Sequence, residues 1–205
     1  TFPATNSASR ISVVSCESEM REAEFVAGKV SSLGAFRDAA VFYRTNAQSR
    51  PFEDAFRAAG IPYRIYGGMK FYERAEVKDV LAYLRLALDP KDDVSFRRVI
   101  NVPARGLGKT TVERLFAFAQ ERGLSMMDAA VPFAASGAAR PAAARALSDF
   151  AAMAADLGAA AVSESAAGLL KAVLERSGYV ESLASVSSIE SEAKLENINE
   201  LVTAV

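Results

Sequence analysis

The 205-residue chain has no histidine and a single cysteine. Without imidazole the commonest general base and metal ligand is missing, so Ser-His-Asp, Cys-His and His-metal chemistry are excluded. One thiol gives no internal disulfide and no cysteine-rich metal site, which fits a reducing compartment; Cys16 ends an apolar run and reads as a core residue. No apolar run reads as long enough to span a membrane, and a soluble protein is expected. No initiator methionine or signal peptide is present, and 195–205 reads as a helix stopping without a cap. A piece of something longer is therefore expected.

What is present is a globular balance, 51% apolar and 24% charged, with a net charge of −1 that hides a division. Phe42 to Arg122 holds 15 Lys+Arg against 10 Asp+Glu, and the remainder holds 9 against 15. A surplus that small carries weight only through placement.

The stretch from Val102 to Leu115 organises the reading. Gly106 and Gly108 flank Leu107 in a turn that only small residues follow, and Thr110 with Glu113 reads as a capping box opening a helix. The free N–H groups of a helix start, with Arg105 and Lys109 beside them, form a seat for phosphate, and the partner inferred is a nucleic-acid backbone. Gly-Lys-Thr also invites a nucleotide P-loop. That loop needs glycine where Pro103 stands and a buried strand running into it, whereas Ser95 to Asn101 reads as a short amphipathic helix. An ordinary turn between core helices, with no ligand, is the competing reading.

Along the chain, Ile11 to Cys16 reads as a strand, Glu17 to Leu33 as a helix and Ala39 to Tyr43 as a second strand. That spacing predicts a parallel pair joined by a crossover, hence an α/β sheet. The polar segment Tyr43 to Arg50 follows the second strand, where such sheets place ligands. Pro51 opens a helix to about Ala59, and Tyr63 to Tyr66 is a third strand candidate. Gly67-Gly68 reads as a hinge or tight turn, after which the chain reads as all-helical, beginning with a helix from Tyr72 to Leu88. Ser95–Asn101 and Thr110–Arg122 flank the glycine turn as a helix-hairpin-helix. Asp92-Asp93 reads as a pair of caps rather than a metal pair. Ala129 to Ala161 has 17 alanines in 33 residues and is expected to be a mobile surface element without chemistry. Ser163 to Arg176 is a further helix, and Ser187 with Glu190 a capping box for the last one.

Tyr43 to Arg50, Tyr66 to Asp79, Asn101 to Gly108 and Leu195 to Leu201 closely resemble, in one order, the UvrD/PcrA/Rep family of superfamily 1 DNA helicases. The resemblance implies a partial RecA-like parallel sheet over 1–70, from the second motor domain, and over 71–205 a helical accessory domain inserted in it and truncated at its C-terminus. It implies 3′ to 5′ translocation on DNA, in repair or replication, by a cytoplasmic, nucleoid-associated bacterial protein that uses ATP and Mg2+. Single-stranded DNA and a duplex junction are the implied partners, with other repair proteins, and no membrane. This chain shows no P-loop, no Walker B Asp-Glu pair, no Asn-Tyr-Arg-Ser segment and no arginine-finger motif. The chain alone is expected to bind neither cofactor and to hydrolyse no ATP.

By motif match, Arg44, Asn46 and Arg50 lie near the single strand, although Gln48 to Arg50 also reads as a helix cap. Arg105, Gly106, Gly108, Lys109 and Thr110 hold the duplex backbone ahead of the fork, and Gly67 and Gly68 form the hinge. Tyr66, Phe71 and Tyr72 read as packing before base stacking. Two other functions remain open: a helix-hairpin-helix DNA-binding module without enzymatic ancestry, and a regulatory or protein-interaction surface that rotates about Gly67-Gly68. A related helicase-nuclease is also compatible, its nuclease domain lying outside this chain.

Overall fold

The computed structural model describes residues 11–65, 70–203 and 205. Tyr66 and the hinge assigned to Gly67 and Gly68 lie outside the described residues. The chain forms two compact units, Thr1–Gly67 and Gly68–Val205.

In the first unit, α1 (Glu19–Ser32) packs on α2 (Ser49–Ala58). Ser18 opens α1, its hydroxyl accepting from the Arg21 amide at 3.3 Å. Ala23, Ala27 and Val30 recur at helical spacing and bury one face with Ala55, Phe56 and Ile61. The predicted sheet is absent: no strand occurs among the described residues, and the α/β expectation is corrected to helix and irregular chain. Apolar alternation marks a segment that suits a pleated surface, but a strand exists only with a ladder partner and a covering layer. Ile11, Val13 and Phe42 have neither, standing 94%, 95% and 93% exposed.

The second unit is built on α3 (Ala75–Leu88), which packs against α4 (Asp93–Val99), α7 (Pro141–Ser163), α8 (Ala166–Ser177) and α10 (Ile189–Thr203). Val77, Val80, Tyr83 and Leu86 of α3 are buried, and Phe96 of α4 meets Phe150 of α7 edge to face at 5.4 Å. Helices α5 (Lys109–Arg122) and α6 (Met126–Ala135) pair beside them, and α9 (Tyr179–Ala184) joins α8 to α10.

Three expectations change here. The alanine-rich stretch is not purely a surface element: one face of it is packed in the core, with Ala129, Phe133, Leu147, Phe150 and Leu157 buried. By length and hydropathy α7 is also long and apolar enough to cross a membrane. Its buried stripe and the exposed Arg145 and Asp149 on its other side give it the pattern of an amphipathic packing helix. The last helix is capped one residue later than expected, by the Ser188 hydroxyl accepting from the Ser191 amide at 3.1 Å.

Buried polar groups tie distant elements. Arg74 donates to Asn197 Oδ1 at 2.6 Å, and Asn197 Nδ2 donates to Glu76 Oε1 at 2.5 Å, joining α10 to the start of α3. Tyr179 donates to Asp79 Oδ2 at 2.9 Å, and Arg98 pairs with the other oxygen at 2.9 Å. Burial, then the Asp79 carboxylate, pushes the Tyr179 phenol far above its ordinary range.

Asp92 and Asp93 act as caps. Asp92 Oδ1 accepts from the Val94 and Ser95 amides at 3.1 and 3.0 Å, and Asp93 Oδ1 accepts from the Met126 amide at 2.8 Å at the start of α6. The Ser95 hydroxyl and amide hold the Asp92 carboxyl below the usual carboxylate range. A depressed folded-state pKa makes its contribution present above the unfolded-state value and lost as pH falls through the folded one. Asp92→Ala is expected to cost about 1 kcal/mol at neutral pH, as for other N-caps. In urea unfolding the gap from wild type should narrow below pH 4 or so as the wild-type carboxyl protonates. A pH-independent gap contradicts this assignment.

Candidate nucleic-acid interface

The turn at 101–108 is held from two sides. Asn101 Oδ1 accepts from the Arg105 and Leu107 amides at 2.7 and 3.2 Å, and the Leu107 side chain is buried in the core. Between these anchors Gly106 adopts φ 72°, the left-handed region that glycine enters without strain. An added Cβ there would meet nothing within 4 Å, so backbone conformation alone asks for glycine.

Helix α5 begins one step earlier than the sequence suggests. Gly108 is its N-cap, its carbonyl accepting from the Thr111 and Val112 amides, and no side chain caps the helix. Thr110 is already helical, so the expected Thr110/Glu113 capping box does not form. The Lys109 and Thr110 amides therefore remain open toward solvent, as first-turn donors are in an uncapped helix. Gly106, Gly108, Lys109 and Thr110 are exposed, and the Lys109 ammonium sits 3.8 Å from Glu113 Oε1 with a side chain 90% exposed. A pair that exposed is weak and readily exchanged for another anion.

Arg105 faces the other way. Its Nη1 donates to the carbonyls of Val99, Ile100 and Pro103 at 3.1, 3.4 and 3.2 Å. Its Nη2 donates to the Tyr83 hydroxyl at 2.7 Å and to the Ser177 carbonyl at 3.1 Å. The Tyr83 hydroxyl in turn donates to the Val102 carbonyl. Burial raises the Tyr83 phenol above its ordinary range, and the Arg105 guanidinium opposes that rise.

Other cations of the basic segment are also engaged within the fold. Arg97 lies over the Phe116 ring at 3.8 Å and Arg122 over that of Phe118 at 3.6 Å.

In the first unit, Arg44 and Asn46 are exposed and Arg50 is buried, with Nη1 3.1 Å from Asp54 Oδ2. Gln48 Oε1 accepts from the Arg44 and Thr45 amides at 2.9 and 3.0 Å, so Gln48 does organise the approach to α2. Asn46 lines an open groove of about 1090 Å³ with Val41, Phe52, Phe56 and Tyr63; Arg44 and Arg50 are not among its lining residues. Thus Arg105, Gly106, Gly108, Lys109 and Thr110 share one turn, while Arg44, Asn46 and Arg50 differ in exposure along one short segment.

Residues 2–134 match the family of the UvrD-like helicase C-terminal domain. The chain belongs to the UvrD-like helicase family. It is 41% identical over 199 residues to the ATP-dependent DNA helicase PcrA of Bacillus subtilis, covering 95% of this chain and 27% of that protein. It is 38% identical over 195 residues to the ATP-dependent DNA helicase UvrD1 of Mycobacterium tuberculosis, covering 91% and 25%. A probable DNA helicase II homolog of Rickettsia conorii is 32% identical over 201 residues, covering 96% and 31%. The chain thus spans between a quarter and a third of the length of these UvrD-like relatives.

The name of an ATP-dependent relative raises the question of nucleotide at Gly106–Thr110, and the geometry does not fit one. The chain enters the turn from α4 and not from a strand, Pro103 stands where a P-loop has glycine, and the Lys109 ammonium points to Glu113. Among the described residues, no group of three His, Cys, Asp or Glu side chains could hold a metal ion.

Asn101 and Tyr83 carry the turn's geometry without having been singled out as site residues. An asparagine just past a helix, followed by a glycine turn, is the signal for the first; an apolar-face tyrosine gives none for the second. Gly106→Ala should lower stability by about 1–2 kcal/mol through left-handed backbone strain alone. An unchanged denaturation midpoint would show that the turn does not require this conformation.

Proposed function

We propose that this chain supplies DNA contacts to an ATP-dependent DNA helicase that translocates 3′ to 5′ in DNA repair or replication. Residues 1–70 belong to its second motor domain and residues 71–205 to an accessory domain inserted there. ATP and Mg2+ are used elsewhere in the parent, and the chain alone hydrolyses no ATP. A cytoplasmic, nucleoid-associated setting goes with that role.

One observation carries this reading: an uncapped helix start, with open amides at Lys109 and Thr110, is presented to solvent by a turn anchored on both sides. Amides and one mobile ammonium suit phosphate oxygens, and they give position without sequence preference. Arg44 and Asn46, exposed in the first unit, are the side chains we assign to the single strand; Arg50 is buried beside Asp54.

The test is fluorescence anisotropy of the chain with a labelled duplex bearing a single-stranded tail, titrated at several salt concentrations. Wild-type binding should weaken steeply with salt, and Lys109→Ala should lower the slope of log affinity against log salt by about 1 on all sequences. The double variant Gly106→Val/Gly108→Val should lose the duplex contribution. Equal binding by wild type and both variants would move the DNA contact away from this turn, and no binding by folded wild type would favour a protein-interaction role.

A further inference from the structure

Among the described residues the hydrogen-bond partners of the Arg105 guanidinium are neutral: four backbone carbonyls and the Tyr83 phenol. Two of the carbonyls, Val99 and Ile100, close α4, and Ser177 is the last residue of α8, 72 positions away in sequence. Helix C-termini carry partial negative charge and unpaired carbonyls, so one planar cation answers both ends at once. The guanidinium also lies 5.2 Å from the Phe150 ring, within the range of a cation over an aromatic face. With both terminal nitrogens engaged on the fold, this half-buried side chain keeps only its Nε–H to offer a phosphate, although the backbone that carries it leads directly into the exposed turn.

We propose that Arg105 is a positioning residue for the duplex contact and not a DNA ligand. It clamps the Gly106–Gly108 turn onto the ends of α4 and α8, and so fixes the direction in which the first amides of α5 point. The proposal rests on the duplex contact placed at this turn. Lysine cannot replace the arginine, because an ammonium lacks the planar fork that reaches three carbonyls on one side and a phenol and a fourth carbonyl on the other.

The experiment compares wild type, Arg105→Lys, Arg105→Met and Lys109→Ala as the full 205-residue chain, each checked for retained helical signal. Two readouts are taken: anisotropy with the tailed duplex across a salt series, and amide hydrogen exchange. Arg105→Lys, which keeps the charge, should bind the duplex about tenfold more weakly with an unchanged salt slope, because the first amides of α5 are no longer held in one direction while the phosphate charge contacts stay the same. Lys109→Ala alone should lose about one unit of slope. In Arg105→Lys the amides of Leu107 and Tyr179, on the two sides of the clamp, should exchange faster while α6 and the far end of α7 keep wild-type protection.

Wild-type affinity in Arg105→Lys, together with about one unit of slope lost in Arg105→Met, would make Arg105 a phosphate ligand and overturn the proposal. Unchanged exchange at Leu107 and Tyr179 would overturn the clamp itself. Should wild type show no salt-sensitive binding, the duplex reading fails and takes the role in DNA binding with it, while the exchange pattern still decides whether the clamp exists.

Discussion

Helix α3 is apolar around so much of its circumference that it must be enclosed, and the second unit follows from that constraint. Val77, Val80, Tyr83 and Leu86 cannot all face one neighbour, so α4, α7, α8 and α10 each take a side. Alanine is what makes the enclosure tight. Small side chains on α7 let it lie close to its neighbours, with Gly158 bringing the two backbones near enough that an added Cβ would stand 3.6 Å from the Ala87 carbonyl oxygen. Polar groups then fix the arrangement: Arg74, Glu76 and Asn197 pin α10 to the start of α3, and Asp79 joins Arg98 and Tyr179. Two of the four segments that carry the family resemblance meet in the first of these networks.

The same logic governs charge. The basic surplus between Phe42 and Arg122 carries weight only through placement, and part of it is held by partners within the protein. Arg50 faces Asp54, Arg98 faces Asp79, Arg97 and Arg122 lie on phenylalanine rings, and Arg105 holds the ends of two helices. What remains at the glycine turn is one ammonium and a pair of amides. Amides and a single ammonium offer modest affinity and little sequence preference, which fits the duplex contact proposed for this turn.

Legibility in the sequence tracked how local the cause was. The Asp92 cap, proline in the first turn of α2 and the period of α3 depend on neighbours within one or two turns, and they could be read directly; α1 was legible as a helix, but its start at Ser18 was placed at Glu17. The strands could not, because a strand needs a partner that lies elsewhere, and Ile11, Val13 and Phe42 find none among the described residues. Alanine-rich chain between Ala129 and Ala161 gave no sign of its burial, since what buries it is the shape of α3 and its neighbours. At the turn, glycines and Lys109 were legible, but the direction of Arg105 depends on Tyr83 and Ser177, 22 and 72 residues away. The family was legible because four short blocks kept their order.

Duplex contact at the glycine turn is tested most directly by amide chemical-shift mapping of the isotope-labelled chain during titration with a short tailed duplex. The largest shifts are expected at Gly106 to Thr111, with smaller changes along the exposed face of α5 and none in the buried amides of α7. Shifts centred on another surface, with Gly106 to Thr111 unmoved at saturation, would contradict that contact.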